Sequence, residues 1–560
     1  MFDYRRLLSF LDADLAVSPD LPLTSDLSLP EVRKVMLRRS FYKKLLPTGI
    51  LGPEQIRKAT EKFLKANSGI PDSFQFIAEN EQQSLFWGHF RDHFDKVLCS
   101  CEADYSLESL RETFAVGPGA AIGADSESFY TKLFGSKLTA TSEYLLTLYR
   151  GLLSESDTWS FAEKQRYQEF GFEEVSGNRL FFVPKDEATA RTCCTEPSIN
   201  MLMQKALGGI FEKRLFECFG ISLSSQPDAN RKLALAGSID DSFSTIDLES
   251  ASDSISWALV QAISRGRVLS LLRLFRSPKT RLPDGSELEL KMVSTMGNGF
   301  TFPLMTIIFC CAVRATYDIM GLRSDAKKLD FAVFGDDIIV RREAYTFLVS
   351  MLAKLGFKVN EAKSFFVGPF RESCGHDYWR GEFVRGVYIR SLETQAGVYS
   401  ALNRLTRWSA LSGVSLSRTL GFLLTSVRGR LLLVPPSESW DAGLHVPFVC
   451  TIPVVTNSYW FAYRKLVPAL SRRKVPMDKD EAKKLRYLFY NSNGVALAFL
   501  GSYARSNERV ISRGFEPEGS QPPYLSDAFF TLRREGCAIR YRVRRVSIPY
   551  WDWPGGHACP

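Results

Sequence analysis

Hydrophobic and polar positions divide this chain into stretches of different period. Residues 1–110 read as mainly helical, broken by turn signals at Pro47-Thr-Gly49 and Gly52-Pro53. Within them, 31–44 interleaves Val32, Val35, Met36, Leu37 and Phe41 with Arg33, Lys34, Arg38, Arg39, Lys43 and Lys44. That pattern predicts a basic amphipathic helix able to lie along RNA or a partner protein, or simply to present a solvated face. Further on, Leu180-Phe-Phe-Val-Pro184 predicts a strand stopped by proline, and 243–249 predicts a second. A helix is expected over 257–263, with Ser252 or Asp253 as its N-cap. A loosely alternating strand follows over 286–293 and a buried helix over 300–313. Residues 331–334 and 338–340, rich in aromatic and β-branched side chains, predict two short strands turning at Gly335. After them come a helix over 343–355 and a returning strand over 356–360. No internal repeat or low-complexity tract interrupts the pattern.

Composition bounds the reading. With 560 residues, 45% of them hydrophobic, the chain can bury a large core in about two to four structural units. Its 71 Lys and Arg exceed 62 Asp and Glu, and the resulting +9 suits a polyanionic partner without demanding one. The 11 cysteines, together with an opening Met1-Phe-Asp-Tyr-Arg-Arg6 that lacks signal-peptide features, predict reduced thiols in a cytoplasmic protein. The longest uncharged apolar run, 300–313, falls short of the ~20 residues that span a bilayer, so no membrane association is expected. His89, His93, Cys99 and Cys101 match no familiar zinc spacing.

The candidate chemistry lies in the strands. Asp336 and Asp337 sit side by side at the hairpin tip, where two carboxylates repel unless a cation lies between them; an ordinary Gly-Asp-Asp turn has the same pattern. Asp247 ends an otherwise apolar strand, a costly place for a carboxylate unless it binds something. Asp336 follows Asp247 by 89 residues, so these acids can meet only through tertiary structure. The order of elements allows both acidic strand ends to lie together in one antiparallel sheet. Three carboxylates there could bind two Mg²⁺ ions, or other divalent cations. Lys185 and Arg191, on an irregular connector, could hold a triphosphate. Ser294-Thr-Met-Gly-Asn-Gly299 could let a backbone approach a nucleotide closely, or simply cap the buried helix. Arg265, Arg267, Arg273 and Arg276, with Lys279 and Arg281, form the strongest basic patch, a candidate RNA-facing surface. Beyond residue 380 no catalytic signature appears, but Arg472-Arg-Lys474 and Arg540-Tyr-Arg-Val-Arg-Arg545 are basic, the second alternating as an exposed strand would.

Four segments carry a resemblance: Thr245-Ile-Asp-Leu-Glu-Ser-Ala-Ser-Asp-Ser-Ile255, Ser294-Thr-Met-Gly-Asn-Gly-Phe-Thr-Phe302, Phe334-Gly-Asp-Asp337 and Phe370-Arg-Glu-Ser-Cys-Gly375. Over about 183–381 the chain resembles the replicases of single-stranded RNA bacteriophages. The resemblance implies an α+β fold of right-hand polymerase architecture, with fingers, palm and thumb and an antiparallel palm sheet flanked by helices. It places the N-terminal region and fingers in 1–240, including a triphosphate motif near 183–197. The palm would be 241–375, with a basic fingers insertion near 265–290, and the thumb and C-terminal region 376–560. It implies RNA-directed RNA polymerase activity: two-metal transfer of nucleotides from NTPs to an RNA 3′-hydroxyl, with pyrophosphate released.

By position, Asp247, Asp336 and Asp337 correspond to metal-binding aspartates, and Lys363 to a lysine that protonates pyrophosphate. Lys185 and Arg191 correspond to the triphosphate-binding motif, and Gly297 and Asn298 would shape the nucleotide pocket. The turn bearing Cys374 would grip the nascent 3′ end. Two departures stand out. Phe334 replaces the common tyrosine before Gly-Asp-Asp, losing a hydroxyl that is not a metal ligand. No asparagine follows Asn298 on the next helix, so reading of the ribose 2′-hydroxyl falls to Asn298, Ser294 or Asp253. Implied partners are RNA template and product, NTPs, host elongation factors Tu and Ts and a small-subunit ribosomal protein, in the cytoplasm of an infected bacterial host. Alternatives are a reverse transcriptase, separable by ribo- versus deoxynucleotide use, and a catalytically dead RNA-binding scaffold, which all three aspartates argue against.

Overall fold

The computed structural model describes residues 2–18, 21–45, 51–117, 119–124, 129–185, 189–322, 330–389, 391–447, 450–451, 454–455, 460–469, 491–503 and 540–549. The turn expected at 47–49 and the basic run 472–474 lie outside them. Long helices surround several small sheets in an α+β fold.

The helix Thr301–Ile319 is the centre of packing. Its residues from Pro303 to Val313 are all buried, and it lies against the helices Glu81–Phe94 and Ser198–Phe219. By length and apolar composition it would pass for a membrane-crossing helix, yet most of it is enclosed within the protein. Each buried Leu, Ile or Phe there contributes roughly 1.5–3 kcal/mol of transfer free energy.

Beside this helix lies an antiparallel sheet ordered Phe243–Ile246, Asp337–Arg341, Ala332–Phe334. Alternation divides its faces. Ile338 and Val340 join the main core, while Ile339 and Ala332 pack on Leu233 and Ala234 of the helix Gln226–Asp240. The chain after Tyr345–Lys354 returns along the outer edge, where the strand expected over 356–360 is reduced to single bridges, Leu248 to Val359 and Thr245 to Phe365. A second sheet pairs Gly177–Pro184 antiparallel with Ala190–Thr195 and parallel with Lys279–Arg281. The strand expected over 286–293 survives as Glu287–Glu289. The hairpin Phe370–Ser373 to His376–Trp379 packs against Gln226–Asp240 and donates from Arg371 Nε to the Phe243 carbonyl at 2.7 Å.

A separate core joins the first helices, Tyr4–Leu15 and Leu29–Lys44, to Gln395–Ser412 and Ser417–Thr425. Asp14 Oδ2 accepts from both the backbone N–H and the hydroxyl of Thr419 at 2.8 Å, and Tyr4 Oη accepts from Leu392 N–H at 2.9 Å. Three cations of the basic amphipathic helix act within the protein: Arg33 donates to the Ser412 carbonyl, Arg38 pairs with Asp12, and Arg39 donates to the Leu21 carbonyl. Far along the chain, Arg540–Pro549 is a strand as expected, antiparallel to Trp460–Ala469. At the histidines considered for zinc, His93 Nε2 lies 2.6 Å from Asp318 Oδ2, and the Cys99 thiol faces the Ile263 carbonyl.

Candidate active site

Gly335 and Asp336 form the two-residue loop of the central hairpin, closed by the pair Phe334 and Asp337. Gly335 has φ +62°, a first-loop conformation that side-chain-bearing residues resist. A Cβ there would also lie 2.4 Å from the Phe302 ring. The Gly335 N–H donates to Thr306 Oγ1 at 3.1 Å, tying the loop to the central helix. Phe334 meets Phe302 edge-on at 4.7 Å, so the ring that replaces tyrosine is an anchor of the hairpin.

Register brings the acids together. Ile246 pairs with Ile338, so the next position along places Asp247 opposite Asp337. Asp247 is held on every side. Its backbone N–H donates to Ser364 Oγ at 3.1 Å and its carbonyl accepts from Asn360 N–H at 2.9 Å. Its carboxylate accepts from Asn360 Nδ2 at 2.8 Å and Lys363 Nζ at 3.3 Å. Burial pushes the Asp336 carboxyl up; the Asp247 charge adds to the rise, while Lys363 and Arg191 oppose it. Asp337 is pushed up to about 6, first by burial and then by the charges of Asp336 and Asp247, against hydrogen bonds from the Cys374 backbone and thiol. Burial alone would lower Lys363, but Asp247, Glu372 and Asp336 outweigh it and its ammonium sits above the ordinary value.

Arg191, exposed on the strand Ala190–Thr195, is thus close enough to act on Asp336. Lys185 lies exposed at the hairpin connection, its backbone N–H donating to the Thr189 carbonyl. The Gly-rich loop is laced to this same strand: Cys194 N–H donates to the Met296 carbonyl at 2.8 Å. A Cβ on Gly297, φ +122°, would stand 2.2 Å from the Cys194 carbonyl oxygen. The close backbone approach foreseen toward a nucleotide is therefore made, at Gly297, to the protein itself. Ser294 is 3% exposed and accepts from the Thr301 hydroxyl at 2.8 Å, which turns it inward. Asn298 is buried; its Oδ1 accepts from Phe300 N–H at 2.9 Å, and its Nδ2 has no partner.

Several expectations change. Asp253 does not cap the helix Trp257–Ile263; Ser256 does, accepting from Leu259 N–H at 2.9 Å. Asp253 instead lies in the short turn Ala251–Ser254, where burial pushes its carboxyl up to about 6 against the Ser252 hydroxyl and the Lys62 charge. Arg276 does not face RNA: its guanidinium donates to the carbonyls of Leu290, Met292 and Val293 at 2.7, 2.9 and 3.2 Å. Arg265 is exposed and paired with Asp95; Arg267 is exposed, and so is Arg273, whose guanidinium lies 6.0 Å from the Trp257 ring centroid. Cys374, at φ +45°, forms the tip of its hairpin beside Asp337.

Sequence reasoning missed three residues. Asn230, fully buried, donates from Nδ2 to the Asp337 carbonyl at 3.1 Å and to Ser373 Oγ at 3.3 Å, joining the two hairpins. Asn360 orients Asp247. Glu196, buried under the second sheet, accepts from Asn178, Gln204 and Ser277 at 2.8, 2.9 and 2.6 Å. Only Asn360, three residues before Lys363, stood near a recognised motif.

The family model for the RNA replicase beta-chain matches residues 137–487. The chain belongs to the RNA replicase beta-chain family. It is 36% identical over 321 residues to the RNA-directed RNA polymerase subunit beta of Escherichia virus Qbeta, covering 56% of this chain and 52% of that one. It is 40% identical over 252 residues to the RNA-directed RNA polymerase beta chain of Escherichia phage MS2, covering 45% of each. The subunit of Enterobacteria phage SP is 35% identical over 322 residues, 56% of this chain and 53% of that one. The match thus spans about half the length of these curated relatives. Every site residue named from Lys185 to Cys374 falls inside the replicase match.

The donor chemistry suits a hard divalent cation: carboxylate oxygens, two of them on neighbouring residues pushed toward protonation. Among the described residues, however, no three His, Cys, Asp or Glu side chains already surround one point. Lys363 and Asn360 take up the Asp247 carboxylate instead.

Proposed function

We propose that this chain is the catalytic subunit of an RNA-directed RNA polymerase that copies a bacteriophage single-stranded RNA genome. The observation that carries the proposal is the register of the central sheet, which sets Asp247 opposite Asp337 with Asp336 at the adjoining turn. In this reading the central sheet and its helices are the palm, with fingers before residue 241 and within the 265–290 insertion, and thumb after 375. Asp247, Asp336 and Asp337 would hold Mg²⁺, two ions or another divalent cation in their place. When bound, the metal would supply activation of a 3′-hydroxyl and neutralisation of the leaving pyrophosphate.

The chain's own residues account for the rest. Arg191, whose charge already acts on Asp336, would with Lys185 meet the triphosphate. Lys363, kept charged by the surrounding carboxylates, is suited to give its proton to pyrophosphate. Buried Asn298 and Asp253 are the side chains that would read the nucleotide. Cys374, through Asn230 and Asp337, would couple grip on the 3′ end to the acidic site. Elongation factors Tu and Ts, a small-subunit ribosomal protein and the cytoplasm of an infected bacterium remain the proposed setting.

The test is incorporation. Purified protein, with co-purifying host factors, is given template RNA, Mg²⁺ and either ribo- or deoxynucleotides. Templated RNA product is expected, lost in Asp336→Asn while RNA binding persists. Product made only from deoxynucleotides would make the protein a reverse transcriptase, and unchanged synthesis by Asp336→Asn would remove the catalytic assignment.

A further inference from the structure

A cavity of about 330 Å³ opens beside the Gly-Asp-Asp hairpin, lined by Lys205, Glu212, Ser224, Asn298, Phe302 and Phe334 among others. We propose that it is the template-strand subsite, taking one nucleoside of the template RNA next to the position being copied; this rests on the polymerase reading above.

Three observations point there. The first is position in the sheet. Asp247 ends one outer strand and Phe334 ends the other, with Asp337 on the strand between them. Lys363 touches Asp247, and the hairpin bearing Cys374 is fastened to Phe243 on the same outer strand. The groups assigned to pyrophosphate and to the nascent 3′ end thus share the Asp247 edge. A duplex centred on the hairpin has its second strand across the tip, at the Phe334 edge, where the cavity lies.

The second is an unanswered donor. Asn298 is buried, its Oδ1 committed to Phe300 N–H, and its Nδ2 without a partner while facing this cavity. A buried amide is costly unless a ligand brings an oxygen to it. Nucleosides carry such acceptors on base and ribose alike.

The third is the wall. Phe302 and Phe334, 4.7 Å apart and edge to face, supply aromatic surface of the kind against which bases and riboses pack in sequence-tolerant RNA binding. The volume lies at the small end of ligand sites, the scale of a nucleoside rather than a whole nucleotide triphosphate.

The experiment binds the full chain to a template–product RNA duplex carrying 4-thiouridine either in the template, opposite the product 3′ terminus, or at that terminus itself. After irradiation the attachment site is mapped by peptide mass. Template-strand probe is expected on the segments 198–219 or 298–303, and product-strand probe elsewhere. A second measurement uses Ser224→Trp, which fills the cavity. The template concentration giving half-maximal rate should rise at least tenfold, with KM for NTPs within twofold and the melting temperature unchanged.

Product-strand attachment to those segments would overturn the assignment. So would a raised KM for NTPs with unchanged template saturation in Ser224→Trp, which would make the cavity a site for the incoming nucleotide. The crosslink is read before nucleotides are added. It therefore decides the subsite even where the unaltered chain fails to incorporate, an outcome that would count against the polymerase reading instead.

Discussion

Glu196 and Asp337 are both buried carboxyls, both pushed above the ordinary range chiefly by burial, and their neighbours treat them in opposite ways. Around Glu196, Asn178, Gln204 and Ser277 all donate, and the Arg276 charge lies near. Around Asp337, two further carboxylates add to the repulsion, and the opposing donors come only from Cys374. One acid has been completed by the protein; the other has been left incomplete. An acid kept so at a strand end, against its own folding interest, marks where something from outside is received.

The sharpest way to break this contrast is to neutralise each acid in turn. Asp336→Asn should lower templated incorporation by at least about a hundredfold, measured as labelled RNA product, with no loss of melting temperature because a repulsion has been removed. Glu196→Ala should do the reverse. It strands three buried donors and should cost about 3 kcal/mol in urea unfolding, while activity per folded molecule holds.

Next in size is a pH effect at Asp253. Its carboxyl titrates near 6 in the folded chain, above its ordinary value of 3.8. A raised folded pKa contributes stability that is fully present below the unfolded value and is lost as pH rises through the folded one. Asp253→Asn should therefore gain on the unaltered chain between about pH 4 and 7, by about 2 kcal/mol. Parallel melts across that range check it, and parallel curves for the two proteins would mean the carboxyl is not buried as described. The smallest effects extend the contrast to cations. Arg276→Ala should destabilise by about 2 kcal/mol and leave the salt dependence of RNA binding unchanged. Arg267→Ala should shift stability by less than about 0.5 kcal/mol and weaken RNA binding a few-fold at low salt only.

How much of this was legible beforehand follows the same division. The hairpin strands, the strand before Asp247 and the buried helix were readable because aromatic and β-branched runs, and an uninterrupted apolar run, have few other uses. Asp247, Asp336 and Asp337 were readable because acids at apolar strand ends break a local rule. Asn230, Asn360 and Glu196 were not, since polar residues inside helices and loops break no rule until tertiary structure buries them. Arg276 was misread for a related reason: a cation that spends its donors on carbonyls looks, in sequence, like its exposed neighbours. Asp253 was given a cap's role because spacing cannot distinguish it from Ser256, and the chain chose the hydroxyl nearer the helix.

The core shared by the first two helices and residues 389–432 also sets a timetable. Tyr4 and Asp14 find Leu392 and Thr419 only when those residues exist. At roughly 5–20 residues per second of synthesis, the earliest helices of the chain wait on the order of 20–80 seconds on the ribosome for the partners that bury Leu7, Leu11 and Leu15. During that interval they are the segments of this protein most open to capture by whatever else binds apolar helices, and the last quarter of the chain releases them.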